Sequence, residues 1–191
     1  MPQSNSIRPW PPSTRACLVL LLIALLLGMS TPNTRSEGEA AREYDIKAAF
    51  LYNFVKYVTL PPRPASGATI TVGILGTDSS GGAFDYSING KTVGGKTLVV
   101  RHLGEHGDPR AVNILFISAS ERERLRQIFA GLGNAGVLTV GESSGFAQSG
   151  GIINFITVDN RVRFEINPDV AARTGIRISS QLMRLAKIVH G

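Results

Sequence analysis

From Tyr44 to Val58 the apolar residues Tyr44, Ala48, Leu51, Val55 and Val58 recur at steps of three and four, and Pro61-Pro62 follows. That spacing predicts an amphipathic helix stopped by the prolines. Phe50, Phe54 and Tyr57 widen its apolar stripe beyond one core face, leaving two readings: a deeply buried helix, or a helix with a strip of anchors for a partner. Thr69–Leu75 reads as a strand that leaves through the glycine-rich loop Gly76–Gly82. Two more β-rich runs follow, near Tyr86–Val93 and Thr97–Leu103, with Gly94-Gly95 as a tight turn between them. Val112–Ile117 is nearly all apolar, the mark of a strand buried on both faces. Ser118 or Ser120 then opens a helix whose inner face is Leu125, Ile128, Phe129 and Leu132, ended by Gly133.

Val137–Val140 is the next strand, followed by a polar loop from Gly141 to Gly151, a strand at Ile152–Val158, a turn at Asp159-Asn160, and a strand at Arg161–Ile166. The last alternates, with Val162, Phe164 and Ile166 on one side and Arg161, Arg163 and Glu165 on the other. Helix is expected again after Asn167-Pro168, with a break at Gly175 and a final helix over Ile178–His190. Strands alternating with helices, plus two hairpins, predict an α/β fold: one three-layer domain with a mixed β-sheet flanked by helices.

The first forty residues have a different character. Arg8 and Arg15 precede the uncharged run Leu18–Leu27, and small and polar residues follow it. This order describes a secretory signal, and the run is too short for the roughly 20 apolar residues of a membrane span. Residues 1–40 are therefore expected to be a signal peptide and short polar lead, with the cleavage point open between Ser30 and Ala40, and residues 41–191 to be the exported, soluble domain. The single cysteine, Cys17, and the single tryptophan, Trp10, leave with the leader. The mature chain then has 17 basic and 12 acidic residues and no thiol, so neither a disulfide nor a thiolate zinc site can be built.

Candidate chemistry narrows further. Gly90–Thr97 fits the phosphate-loop pattern GxxxxGK[ST], but β-branched residues follow where that mechanism needs a helix. His102-Leu-Gly-Glu105-His106 fits HxxEH, yet the surrounding glycines and Asp108-Pro109 predict a loop, where two histidines cannot share a helical face. Ser143-Ser144-Gly145 has no nucleophile-elbow frame. No catalytic residue, cofactor or metal is expected. The basic residues form no stripe interleaved with aromatics, which argues against nucleic acid. Arg161, Arg163 and Glu165 remain, a row suited to an interface rim or to an anionic or zwitterionic ligand.

Tyr44–Val58, Ile114–Ser118, Leu138–Val140 before Phe146-Ala147, Gly150–Ile153, Asn160–Asn167 and Ile178–Ser180 together resemble the YfiR family of periplasmic proteins, in order over nearly all of 44–190. The resemblance implies a non-enzymatic regulator in the periplasm. Such proteins bind the periplasmic sensor domain of an inner-membrane diguanylate cyclase and repress it, lowering cyclic-di-GMP output and biofilm formation. Envelope or redox signals, or capture by an outer-membrane lipoprotein, release the cyclase, and a homodimer is compatible with this role. Repressors of this type contain cysteines, and the absence of one here separates the mature chain from disulfide-based control. On this reading Phe50, Phe54 and Tyr57 supply partner-binding anchors, and Arg161, Arg163 and Glu165 the rim or a ligand pocket. A periplasmic small-ligand sensor or carrier, using the glycine-rich exit after Leu75 together with Arg163, is the alternative.

Overall fold

The apolar alternation of Ile70, Val72 and Ile74 against Thr71, Gly73 and Leu75 places a two-faced strand at the centre of the structure, a computed structural model that describes residues 34–62, 67–77, 79–104 and 107–191. The apolar run Leu18–Leu27, read as a signal core, and the Ser30 cleavage point lie outside the described residues. Residues Gly38–Gly191 form one compact unit.

In chain order the elements are α1 (Thr34–Tyr57), β1 (Val58–Thr59), β2 (Thr69–Leu75), α2 (Ala83–Ile88), β3 (Thr92–Val93), β4 (Lys96–Leu103) and β5 (Ile114–Ile117). They continue as α3 (Leu125–Leu132), β6 (Leu138–Gly141), β7 (Ile153–Val158), β8 (Arg161–Ile166), α4 (Pro168–Arg173), β9 (Arg177–Ile178), α5 (Ser180–Met183) and β10 (Lys187–Ile188). The main sheet has the order β10-β8-β7-β6-β5-β2-β4-β3, and β1 pairs with β9 in a separate two-stranded ribbon. Strands β4, β2, β5, β6 and β7 are parallel neighbours, while β3–β4 and β7–β8 are antiparallel hairpins.

The sheet carries a core on each face. Ala48, Leu51, Phe54 and Val55 of α1 pack with Ile70, Val72, Ile74, Ile114 and Phe116, whereas Leu125, Ile128 and Leu132 of α3 pack with Val112, Leu115 and Ile117. Helix, sheet and helix make the expected three layers. Gly73 in β2 lets Val112 and Leu103 pack closely over the strand: a Cβ there would lie 3.0 Å from Val112 and 3.1 Å from Leu103, so both side chains would have to shift. The β3–β4 hairpin turns at Gly94-Gly95 with φ of 57° and 75°, the left-handed pair that a two-residue loop demands. Thr97 therefore lies in a strand, and the phosphate-loop match is a hairpin. Among the described residues no helix is long and apolar enough to cross a membrane.

Four segments differ from the sequence pattern. The helix expected to open at Ser118 or Ser120 begins with a 3-10 helix over Ala119–Arg124, capped by Ser118, before α3 starts at Leu125. Residues 83–88 are helical rather than extended, because Phe84 and Ile88, four apart, both enter the core after Gly82. Helix α1 begins at Thr34, ahead of the expected start at Tyr44. The predicted final helix Ile178–His190 shrinks to α5, capped by Ser179, and the chain then extends into β10. There the Val189 N–H donates to the Ile166 carbonyl at 2.9 Å, so sheet pairing replaces helix.

Candidate functional site: the outer face of α1 and an overhanging β-ribbon

The second half of α1 lies on the β7–β8 hairpin. Phe155 and Phe164 are opposite one another in that hairpin, and Phe54 sits 5.7 Å and 5.1 Å from their ring centroids. Phe54 is fully buried, which corrects its expected place as an exposed anchor: the hairpin's two rings close over it. Phe50 is half-buried, 5.5 Å from Phe164 and 6.1 Å from Phe54. Tyr57 is 40% exposed and Ile46 46% exposed. Ile46, Phe50, Asn53 and Tyr57 follow the 4-3-4 spacing of one helix face, so apolar side chains interrupted by polar Asn53 do remain on the outside of α1.

The charged row divides in two. Arg161 and Arg163 are exposed, but Glu165 is buried, and its Oε1 accepts from Lys187 Nζ at 2.9 Å while Oε2 accepts from Asn154 Nδ2 at 3.4 Å. Glu165 is thus no rim residue. Strand β10, which the sequence pattern read as helix, brings Lys187 against it.

The hairpin that carries the arginines outruns its neighbours. Strands β7 and β8 pair over six residues, from Ile153↔Ile166 to Val158↔Arg161. Strand β6 reaches only Ile153 and Asn154, and β10 only Glu165 and Ile166. The four outer rungs, 155–158 against 161–164, have no flanking strand among the described residues and project roughly 13 Å at strand rise. Asp159 and Asn160 close the tip with φ of 49° and 57°, which forms the tight turn anticipated there.

A polar constellation that the sequence reading missed ties α1 to the carboxyl ends of the parallel strands. Glu142, just beyond β6, accepts from the Tyr44 hydroxyl at 3.0 Å, from Lys47 Nζ at 2.7 Å and from the Ala119 N–H at 3.1 Å. Lys47 and Glu142 are both buried, and Glu43 adds a second carboxylate 2.6 Å from Lys47. Burial, then the Glu142 charge and its hydrogen bond, push the Tyr44 hydroxyl well above the ordinary tyrosine range. The only sequence signal was a lysine on the inner face of a helix. The contacts from Glu142 to Tyr44, Lys47 and the Ala119 N–H fasten α1 to the loops that follow β5 and β6.

Elsewhere the glycine-rich exit of β2 borders a cleft of about 460 Å³ lined by Thr77, Leu103, Arg124, Gln127 and Ile128 among others. It stands beside the β2–β5 junction, where neighbouring parallel strands are followed in opposite directions across the sheet. Arg124 is already paired with Glu121 at 3.0 Å, and Ser120 Oγ accepts from the Thr77 N–H at 2.9 Å. Arg163 does not line this cleft. His102 contacts Asp85 at 2.7 Å from a strand, while Glu105 and His106 lie outside the described residues. Among the described residues no group of three His, Cys, Asp or Glu side chains is arranged to hold a metal.

Comparison with solved structures finds the same fold in a conserved domain protein from Vibrio cholerae O1 biovar El Tor, at a TM-score of 0.52 and 9% identity, covering 78% of this chain and 60% of that one. An ABC domain from Streptococcus pneumonia, solved in complex with L-Trp, gives a TM-score of 0.46 at 10% identity and covers 63% of this chain and 55% of that chain. The chain thus spans less than two thirds of either structure's length. No curated protein sequence matches. The family model described as YfiR/HmsC-like matches residues 44–187, from the polar cluster on α1 through both cores to the strand that holds Glu165, and the chain belongs to the YfiR/HmsC-like family.

Proposed function

We propose that this protein is a periplasmic regulatory binding protein that represses a membrane-bound diguanylate cyclase by binding its periplasmic sensor domain, thereby lowering cyclic-di-GMP output and biofilm formation. The observation that carries the reading is the family match over 44–187, which supports a periplasmic regulator of cyclic-di-GMP signalling rather than an enzyme. Surface geometry is compatible with it. Exposed Ile46 and Tyr57, with half-buried Phe50 between them, provide apolar anchors, and the guanidinium groups of Arg161 and Arg163 provide a charged rim, the usual composition of an interface centre and edge. Phe54 supports Phe50 from beneath rather than touching the partner.

Repression would work by population shift. A repressor that binds one conformation of the sensor more tightly than the other moves the equilibrium only by that difference in affinity, and a competitor such as an outer-membrane lipoprotein reverses it by occupying the repressor. The test is cyclase activity in inner-membrane vesicles titrated with purified protein. Falling cyclic-di-GMP synthesis, with weaker inhibition by Tyr57→Ala, is the expected result. Undiminished synthesis at saturating protein, with no cyclase retained on the immobilised protein, would end the proposal.

A second reading, a small-ligand sensor, draws on the cleft beside Gly76 and Thr77, whose volume lies within the usual range for ligand sites. A thermal-shift screen with small anions and amino acids tests it, since a ligand at about 100 times its dissociation constant stabilises by roughly 2.7 kcal/mol.

A further inference from the structure

The β7–β8 overhang leaves backbone groups as well as side chains unpaired. The Asn167 N–H donates to the Ile152 carbonyl, so residues of that parity, 161, 163, 165 and 167, turn their backbone groups toward β7. The Val189 N–H bond to Ile166 fixes the other parity: 162, 164 and 166 face away from β7. The two-residue turn at the tip requires the same assignment, because its flanking pair Val158↔Arg161 closes the loop with hydrogen bonds. Strand β10 occupies this edge only at Glu165 and Ile166. The N–H and C=O of Val162 consequently lie on an open edge, flanked on the outer face by Arg161 and Arg163. Among the described residues neither arginine has a carboxylate within ion-pair distance.

We propose that the open edge of β8 is a strand-addition site: an extended segment of a partner protein, acidic at alternate positions, pairs with the backbone at Val162 and sets its carboxylates against Arg161 and Arg163. Strand addition draws affinity from main-chain hydrogen bonds and selectivity from alternate side chains. The charge decides which segment fits. Opposite charges across strands stabilise, and like charges directly opposite destabilise. A second copy of this chain, paired edge to edge, would set the same two arginines against each other, so this edge disfavours self-association. On the inner face, alternate apolar residues of the incoming strand meet half-buried Val162, which like Phe50 of α1 packs against the main core. The site specifies how a partner docks and so rests on the regulatory reading above, but its chemistry is testable without any cyclase.

The probes are two synthetic ten-residue peptides, one alternating Glu with Val and one alternating Lys with Val, measured by fluorescence anisotropy against the purified protein. Binding of the Glu peptide, about tenfold or more tighter than the Lys peptide, is expected. Val162→Pro removes an edge N–H that β7 does not use and should abolish binding, with the far-UV circular dichroism unchanged. Arg161→Glu with Arg163→Glu should invert the preference toward the Lys peptide, and it keeps the edge testable where the proline variant does not fold. Failure of the wild type to bind the Glu peptide, or indifference to charge sign, overturns the site; the arginines would then serve only to guard an exposed edge against aggregation. Inhibition of the cyclase that survives in folded Val162→Pro and in the charge-reversed variant would likewise overturn it while leaving the regulatory reading standing.

Discussion

Replacing Phe54 by Ala separates a core role from an interface role on α1. The ring is fully buried and lies among three others, Phe50, Phe155 and Phe164, at centroid distances of 6.1, 5.7 and 5.1 Å. Truncating a buried phenylalanine costs about 3–5 kcal/mol, because the lost transfer energy is joined by the cavity left behind. Edge-on and offset ring pairs contribute roughly 0.5–1.5 kcal/mol each beyond their area, so the upper part of that range applies where three pairs are lost together. With a urea slope near 2 kcal/mol per molar, the unfolding midpoint should fall by about 2 M. Tyr57→Ala, at a surface position, should change the stability by no more than about 0.5 kcal/mol, a midpoint shift of about 0.25 M at the same slope. The assay is urea unfolding followed by far-UV circular dichroism, run beside the membrane-vesicle test of the proposed cyclase repression. If Phe54→Ala unfolds at nearly the wild-type midpoint but no longer inhibits, the ring is an anchor that the closed structure hides, and the division of α1 into an inner and an outer face is mistaken.

Two further outcomes follow from the packing. The Tyr44 hydroxyl has a folded pKa above its unfolded value near 10, so above that pH the folded state holds a proton the unfolded state releases. Its contribution is complete below pH 10 and declines as pH rises toward the folded value; urea midpoints at about pH 9 and pH 11 should diverge less in Tyr44→Phe than in wild type, and equal divergence would show that Tyr44 is not the titrating group. Phe146 is fully buried between Gly141 and Gly151, where a Cβ on either glycine would run into the ring. Gly151→Ala should therefore cost about 1–3 kcal/mol by overpacking, largely recovered by adding Phe146→Leu, and a thermal midpoint unmoved by the single change would refute the wedge.

The parts of this fold legible in the sequence are those set by short-range pattern. The inner stripe of α1, the apolar run of β5 and the paired left-handed residues at Gly94-Gly95 and Asp159-Asn160 each occupy the element their spacing implies. What escaped depends on distant chain. The width of the α1 stripe was visible, but only Phe155 and Phe164, a hundred residues away in sequence, decide that Phe54 is inside while Phe50 keeps an open edge. Likewise Lys47 and Glu142 are 95 residues apart, and nothing local pairs them.

The charged strand shows how such a distant choice can create a surface. Arg161, Arg163 and Glu165 alternate as the sequence implies, and with equal exposure the glutamate would offset one of the two arginines along that face. Strand β10 breaks that balance because it is only two residues long. It reaches Glu165, supplies Lys187 as its counter-charge and completes the ladder there, but ends short of Arg163 and Arg161. The two arginines are thereby left without an acid on their strand face at the same rungs where the backbone is left without a neighbour. Exposed charge on an edge strand commonly prevents indiscriminate pairing. Here charge of one sign, beside an open N–H and C=O, disfavours another copy of the same edge, yet complements an acidic strand. Extending β10 toward the tip would close the edge and remove the arginines' isolation in one step, so the shortness of that strand is the feature on which strand addition depends.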